Sequence, residues 1–243
     1  FLMLLALSGA LTALFLLSKE QLLLWFGASA DTFGYADTYL TIYTAGTFFA
    51  LMAAGMNSFL IAQGFSGLGM ATVVLGAVLN IVLDPLFMFG LDLGVAGAAL
   101  ATVLSQLLSA VLVVLSLMRS QGQAYQLFPR QLRLYGAPLK DAMRVGVPAA
   151  LQSVMYSASN IVIQAAINSF GTDAVAAWTA YGKMDVIFWM SINAMALAIT
   201  TFAGQNYGAG QYDRLKKGVR VSVGMSAGFT VLLSTAMTVF ARP

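Results

Sequence analysis

The chain has 243 residues, of which 60% are hydrophobic and 9% are charged, and its mean hydropathy is +0.84. A soluble domain cannot bury that much apolar surface, so composition predicts a membrane protein. Neither cysteine nor histidine occurs, which excludes disulfides, thiolate and histidine catalysis and the common zinc ligand sets.

Seven apolar segments of about 20 residues follow one another along the chain, each long enough to cross a bilayer. They cover residues 1–18, 38–62, 69–90, 95–118, 143–169, 174–203 and 218–240. The first segment lacks a basic leader and an Ala-x-Ala cleavage site, so we predict a membrane span and not a signal peptide. The predicted fold is all-α, a polytopic transmembrane helix bundle. Because the chain opens at Phe1 and stops directly after an apolar run, we expect it to be a piece of a longer protein.

Short loops at 64–69, 91–94 and 171–173 predict that consecutive helices run antiparallel. Residues 119–142 differ, because they are polar and contain Pro129 and Pro138. We predict that this stretch links two helix bundles, formed by residues 1–118 and 143–243.

The basic residues predict the orientation, because cytoplasmic loops collect Lys and Arg. One side holds only Lys19 and Arg242, together with the acids Glu20, Asp31, Asp37, Asp92 and Asp173. The other side, predicted to be cytoplasmic, holds Arg119, Arg130, Arg133, Lys140, Arg144, Arg214, Lys216, Lys217 and Arg220. The basic residues form no compact patch with interleaved aromatic residues, so nucleic acid is not an expected partner.

Asp84 is an acid deep within a predicted span, roughly 20 Å from its start at 1.5 Å per residue. A charge at that depth costs several kcal/mol and persists only with a partner or a task. Asn80 lies one turn earlier on the same face, and Pro85 frees the Ile81 carbonyl from its helical bond. This group of oxygens suits H+ or Na+. The alternative is a kinked helix in which Asp84 bonds only to its neighbours.

Asp185 is the second acid within a span, with Lys183 two positions earlier. Residues at i and i+2 do not face each other on a helix, so each charge needs its own partner. Soft side chains around Asp185 suit apolar or cationic ligands, although ordinary packing or lipid contact accounts for them as well: Tyr181, Met184, Phe188, Trp189 and Met190.

A polar or amphipathic residue recurs at every fourth position of the fifth span: Gln152, Tyr156, Asn160, Gln164 and Asn168. Steps of four turn slowly around a helix, so this stripe covers about 24 Å of its surface. It can line a water-filled cavity or form interhelical hydrogen bonds, and the sequence favours neither. The chain lacks a GxxxxGK[ST] phosphate loop and a TVGYG filter, which argues against ATP hydrolysis and a potassium channel.

Four motifs occur in order at Val78–Phe87, Gly94–Gln106, Arg144–Gln152 and Gly204–Gly210, the last followed by Asp213 and Arg214. In these motifs the chain resembles the multidrug and toxic compound extrusion (MATE) family of drug/cation antiporters. The resemblance implies twelve helices in two six-helix lobes, of which the seven spans are similar to helices three to nine. It also implies that residues 119–142 are the cytoplasmic loop between the lobes.

The resemblance to the archaeal and DinF-like branch implies a cation and proton network formed by Tyr39, Asn80, Asp84 and Thr102. It also implies that Asn57 contacts substrate. A second acid of that network belongs to a family helix outside this chain. The NorM-like branch has an acid on its seventh helix, but residues 144–170 contain no Asp or Glu.

These observations together predict a secondary-active exporter, not an enzyme, which exchanges an organic cationic or amphipathic drug for H+ or Na+ and needs no other cofactor. Asp84, Asn80 and Thr102 would bind the coupling ion with Tyr39 nearby, and Asn57, Gln152, Asn160, Gln164 and Asp185 would contact drug. The lobes would rock to alternate access. We expect a monomer in a prokaryotic inner membrane. The alternatives are a lipid-linked oligosaccharide flippase of the same superfamily, which would need a cavity rich in Arg and Lys, and a non-transporting membrane protein.

Overall fold

The computed structural model describes residues 1–25, 29–120, 126–128 and 132–240. Pro129, Arg130 and Arg242, which entered the prediction of the linker and the orientation, lie outside these residues. The described residues form eight α-helices and no strand: α1 (Leu2–Trp25), α2 (Ala30–Ala45), α3 (Thr47–Ala62), α4 (Ser66–Pro85), α5 (Gly94–Arg119), α6 (Gly136–Asn168), α7 (Thr172–Gly208) and α8 (Tyr212–Phe240). A π-helical turn, Leu86–Gly90, extends α4. The all-α prediction is confirmed.

Every predicted span coincides for most of its length with one or two of these helices, but several bounds were wrong. Helix α1 continues to Trp25 and not only to residue 18. Helix α6 begins at Gly136, so the predicted linker is shorter and Pro138 lies in the first helical turn, where its missing N–H has no helical partner to lose. Helices α7 and α8 also extend beyond the apolar segments. The polar flanks of a span can stay helical in the interfacial region, where hydropathy no longer marks the helix.

The second predicted span consists of two helices, α2 and α3, which meet at Gly46 with a bend of 46°. The side chain of Val103 on α5 lies so close to Gly46 that a Cβ atom there would overlap it. Gly46 therefore allows α5 to approach the bend, which a hydropathy profile does not record.

The helices are apolar enough to cross a membrane at most of the predicted positions. Within the described residues, α1, α4 with its π-helical turn, α5, α7 and α8 meet this condition by length and composition, and the bent pair makes a sixth span. Helix α6, which contains the fifth predicted span, does not meet it, since the amides and charged residues along it lower its hydropathy. Large apolar side chains on α4 and α6 point outward, among them Ile81 and Val162, which are 70% and 69% exposed. Such exposure suits helices in contact with lipid.

The chain divides into two compact units, Phe1–Leu134 and Tyr135–Pro243. In the first unit α5 is central and packs against α2, α3 and α4, while α1 packs against α2 and α3. Its core consists of Met52, Ala53, Met56 and Leu60 from α3 with Ala110, Val113 and Leu117 from α5. In the second unit α7 packs against both α6 and α8.

Candidate functional site

Asn80 and Asp84 form a pair on α4. The Nδ2 atom of Asn80 donates a hydrogen bond to Oδ1 of Asp84 at 3.2 Å, and both side chains are half-buried. The prediction that they share one helical face is confirmed. The carboxyl group thus has one hydrogen-bond donor, next to an apolar helix surface.

The backbone changes its hydrogen-bonding pattern directly after Asp84. Pro85 has no N–H to donate, and the π-helical turn that follows is closed by a bond from the Leu91 N–H to the Leu86 carbonyl at 2.9 Å. Helix α5 supports this turn, because Gly97 lies against the backbone of Phe87 and Met88. A Cβ atom at position 97 would be 2.7 Å from the Phe87 carbonyl carbon, so only glycine fits.

A cavity of about 390 Å³ lies between α3, α4 and α5, beside this pair. Asn80 and Thr102 both line it, as do Thr72, Ser105, Gln106 and Ser109. Its other walls are small or apolar, and none of the described residues that line it is Lys, Arg, Asp or Glu. Asp84 is not itself a lining residue and reaches the cavity through its bond to Asn80.

The hydroxyl groups of the cavity are arranged as acceptors. Each of four hydroxyls donates its hydrogen to a helix carbonyl: Thr72 to Gly69 at 2.8 Å, Thr102 to Ala98 at 3.0 Å, Ser105 to Ala101 at 2.7 Å and Ser109 to Thr72 at 3.1 Å. Their oxygen lone pairs therefore remain to accept hydrogen bonds from water or to contact a cation. These four oxygens therefore suit a hydrogen-bond donor or a cation better than an anion.

Two other residues predicted for this site lie apart from the pair. Tyr39 on α2 stacks on Tyr43 with ring centroids 5.8 Å apart. Within the described residues α2 packs on α1, α3 and α5 but not on α4, so the structure does not bring Tyr39 to Asp84. Asn57 on α3 is not among the residues lining the cavity; its Oδ1 atom is buried without a hydrogen-bond partner in the described part of the chain, against Gly69 of α4. Its predicted contact with substrate stays a prediction.

An ion pair that was not predicted joins α1 to α2. Lys19 Nζ lies 2.6 Å from Asp37 Oδ1 and donates a hydrogen bond to the Thr41 hydroxyl at 3.0 Å. In the sequence both charges fall at the edge of the membrane, on separate segments. One signal could have revealed the pair: opposite charges near the facing ends of two antiparallel spans.

In the second unit the polar stripe of α6 is exposed along its whole length. Gln164 donates a hydrogen bond to Asn168 at 3.0 Å, and the Tyr156 ring meets Trp189 of α7 edge-on with centroids 5.3 Å apart. Asp185 on α7 accepts a hydrogen bond from the Tyr181 hydroxyl at 3.3 Å. Asp185 therefore has a partner other than Lys183, and Gln152 and Asn160 present their amides on the open face of α6.

Comparison with known proteins gives a consistent result. The MatE family model matches residues 1–86 and 148–243. The probable multidrug resistance protein YoeA of Bacillus subtilis (strain 168) is 29% identical over 197 residues, covering 78% of this chain and 40% of that protein. An FAD transporter of Shewanella oneidensis is 27% identical over 243 residues, covering 97% of this chain and 53% of that protein.

A solved structure, the outward-facing conformation of a multidrug resistance MATE family transporter of the MOP superfamily, is similar over 99% of this chain and 53% of its own length. The TM-score is 0.91 and the sequence identity is 27%. The chain thus spans about 40% of the Bacillus relative and about half of the solved structure.

The family match takes in α1 to α4 with the Asn80 and Asp84 pair, and then most of α6 with all of α7 and the described part of α8. The two relatives described above are named for drug resistance and for transport, and neither is named for catalysis. The match of the MatE family model over most of the chain, together with several helices apolar enough to cross a membrane, identifies the chain as a member of the MatE family and a multi-pass protein of the plasma membrane.

Proposed function

We propose that this chain forms part of a secondary-active exporter that exchanges an organic cationic or amphipathic drug for H+ or Na+. The observation that carries the proposal is the bond from Asn80 to Asp84 beside the cavity between α3, α4 and α5. A carboxylate held by one amide, next to a space lined by hydroxyl acceptors, can take up a small cation and release it again.

Exchange follows if ion and drug compete for one negative charge. With H+ or Na+ on Asp84 the region is neutral and holds an organic cation weakly, so drug leaves. When the coupling ion leaves, the restored carboxylate favours a new drug cation. Occupancy of a single carboxyl group thereby changes the relative stability of the two loaded states. Thr102 supplies a further oxygen, while Tyr39 would join the network only after a movement of α2.

The remaining predicted residues belong to the proposal as drug contacts: Asn57, Gln152, Asn160, Gln164 and Asp185. We further propose that residues 1–118 are the last four helices of one lobe, 119–142 the loop between lobes and 143–243 the first three helices of the second lobe. The division of the chain after Leu134 supports this assignment. The DinF-like branch, a monomeric state and a prokaryotic source are part of the same proposal.

Charge favours a cationic substrate over an anionic one. The relative from Shewanella is named for FAD, whose pyrophosphate is an anion. An anion of this kind, or the lipid-linked oligosaccharide of a flippase, would need Lys or Arg at the binding site, and neither is among the described residues that line the cavity beside Asp84. FAD is therefore the comparison substrate of choice.

The test is transport by the full-length protein reconstituted in proteoliposomes. We expect an imposed H+ or Na+ gradient to drive flux of a fluorescent organic cation such as ethidium, and the cation in turn to accelerate collapse of the ion gradient. FAD should produce neither effect. Ethidium flux that ignores both gradients, or FAD flux that follows them, would contradict the proposal.

A further inference from the structure

A second cavity, of about 540 Å³, lies between α7 and α8 within the second unit. Its wall is apolar over most of its length, and two cations mark one end, Arg214 and Lys217. The apolar wall is formed by Met195, Ala198, Ile199 and Phe202 of α7 with Gly218, Val221 and Met225 of α8. Ser222 adds one hydroxyl group.

Neither cation forms a salt bridge within the described residues, although Asp213 directly precedes Arg214 and lies one turn before Lys217 on α8. The Arg214 guanidinium lies over the Phe202 ring, 6.0 Å from its centroid, and donates from Nη1 to the Gln211 amide oxygen at 3.5 Å. In the part of the chain that the structure describes, one salt bridge is found, between Lys19 and Asp37. It involves neither Arg214 nor Lys217. Since residues at i and i+3 share a helical face, the two charges point to the same side of α8. Two positive charges that form no salt bridge are thus held at the mouth of an apolar groove.

The length of the groove matches one leaflet of a bilayer. From Arg214 to Met225 the groove follows α8 for about 16 Å at 1.5 Å per residue. Half of a hydrocarbon core of about 30 Å is close to that value. The basic side of the protein is predicted to be cytoplasmic, which places the two cations at the inner membrane surface and the apolar groove directly above them.

From these observations we propose that the groove between α7 and α8 binds an anionic phospholipid of the inner leaflet. Arg214 and Lys217 hold the phosphate group, and one acyl chain lies along Phe202, Ile199 and Met195. Charge selects the occupant, since two unpaired cations attract an anionic headgroup and repel the organic cations proposed as substrates. This site requires that the helices lie in a membrane, but it does not require transport.

The test measures lipid retention by native mass spectrometry of the purified full-length protein. Phosphatidylglycerol is compared with phosphatidylcholine of the same acyl chains. Arg214→Gln and Lys217→Gln should each weaken phosphatidylglycerol binding about fivefold, the effect of one basic residue near an anionic surface. Lys216→Gln is the matched control, because it removes the same charge from the same turn of α8 but does not line the groove.

A second pair of variants tests the apolar part without changing charge. Ala198→Phe fills the groove and should lower lipid retention, whereas Ala196→Phe, about 200° away around α7, should leave it unchanged. Thermal unfolding of each variant shows whether it is folded. If a charge variant is unfolded, the comparison of Ala198→Phe with Ala196→Phe still shows whether lipid lies in the groove.

The outcomes are distinct. Retention of phosphatidylglycerol that depends on Arg214, Lys217 and Ala198 supports the proposal. Four results would overturn it. Phosphatidylcholine could be retained equally well, or Lys216→Gln could lose as much lipid as the groove variants. Millimolar inorganic phosphate could displace the lipid, or no lipid could be retained because another part of the protein covers the groove. None of these results bears on ion-coupled transport, so the two proposals can fail separately.

Discussion

Asn80 donates its amide hydrogen to the Asp84 carboxylate at 3.2 Å, one turn apart on α4, and the helix loses its regular hydrogen bonding immediately afterwards at Pro85. A carboxyl group with one strong donor and a cavity of acceptors nearby is incompletely coordinated. It can therefore gain a proton or a metal ion without first breaking a network of bonds. These features favour the proposed ion binding over a purely structural kink.

Asn80→Ala removes the donor while leaving the acid in place. A hydrogen bond to a charged group contributes about 1.5–3 kcal/mol, so we expect transport at matched expression to fall by roughly ten to a hundredfold. Asn193→Ala is the control, because the Asn193 amide bonds to a carbonyl of its own helix, that of Trp189. Equal activity of the two variants would show that the bond to Asp84 has no part in coupling.

Gly97→Ala tests the support that α5 gives to the turn after Asp84. The new methyl group meets the Phe87 backbone, which cannot move aside as a side chain could. Overpacking of this kind costs about 1–3 kcal/mol, although alanine is the better helix former. We expect a thermal unfolding midpoint several degrees lower, together with impaired transport. Gly146→Ala on α6, where the new methyl group has no described atom within 4 Å apart from its chain neighbours and the backbone of its own helix, should be neutral or stabilising, and a similar loss there would contradict the packing argument.

The Lys19 and Asp37 pair is expected to couple α1 to α2. Both side chains are partly exposed, 25% and 31%, so the energy is modest, about 1 kcal/mol. A double-mutant cycle of Lys19→Met and Asp37→Asn, followed by chemical unfolding, measures it. We expect Lys19→Met alone to be the most harmful variant, because it leaves the carboxylate without its cation. Strictly additive effects would mean that the two charges act independently.

The polar stripe of α6 can be tested by cysteine labelling, which is convenient because the sequence contains no cysteine. We expect Asn160→Cys and Gln164→Cys to react with a membrane-impermeant thiol reagent, because residues that line a water-filled space are accessible to it. Val162→Cys, on another face of α6, is the control and should stay unlabelled within lipid. Protection of all three positions would favour the alternative, in which the amides form interhelical hydrogen bonds.

The spans could be predicted from the sequence because an uninterrupted apolar run of about 20 residues is rare outside a membrane. The helix ends could not, since helices continue into polar residues. Lys19 interrupts the hydropathy of α1 but not the helix, since lysine is a good helix former, and its charge is paired with Asp37. The bend at Gly46 was not predicted either, and the close approach of Val103 to it comes from a helix distant in the sequence.

In the candidate site too, a contact between residues close in the sequence could be predicted, whereas contacts between distant residues could not. The Asn80 and Asp84 pair follows from i, i+4 spacing and was predicted correctly. The acceptor cavity depends on how α3, α4 and α5 pack, so hydroxyls such as Ser105 and Ser109 looked like ordinary small residues of a membrane helix. Tyr39 was included through family resemblance alone, and no spacing rule could show that its helix packs on α5 and not on α4.

The most direct measurement compares Asp84→Asn with Asp92→Asn in proton-driven or sodium-driven drug transport by proteoliposomes. Both variants remove one negative charge and keep the size of the side chain, and asparagine tolerates the positive φ of 54° at position 92. We expect Asp84→Asn to abolish gradient-driven transport while the protein stays folded, and Asp92→Asn to transport normally. Undiminished, gradient-dependent transport by Asp84→Asn would contradict the account.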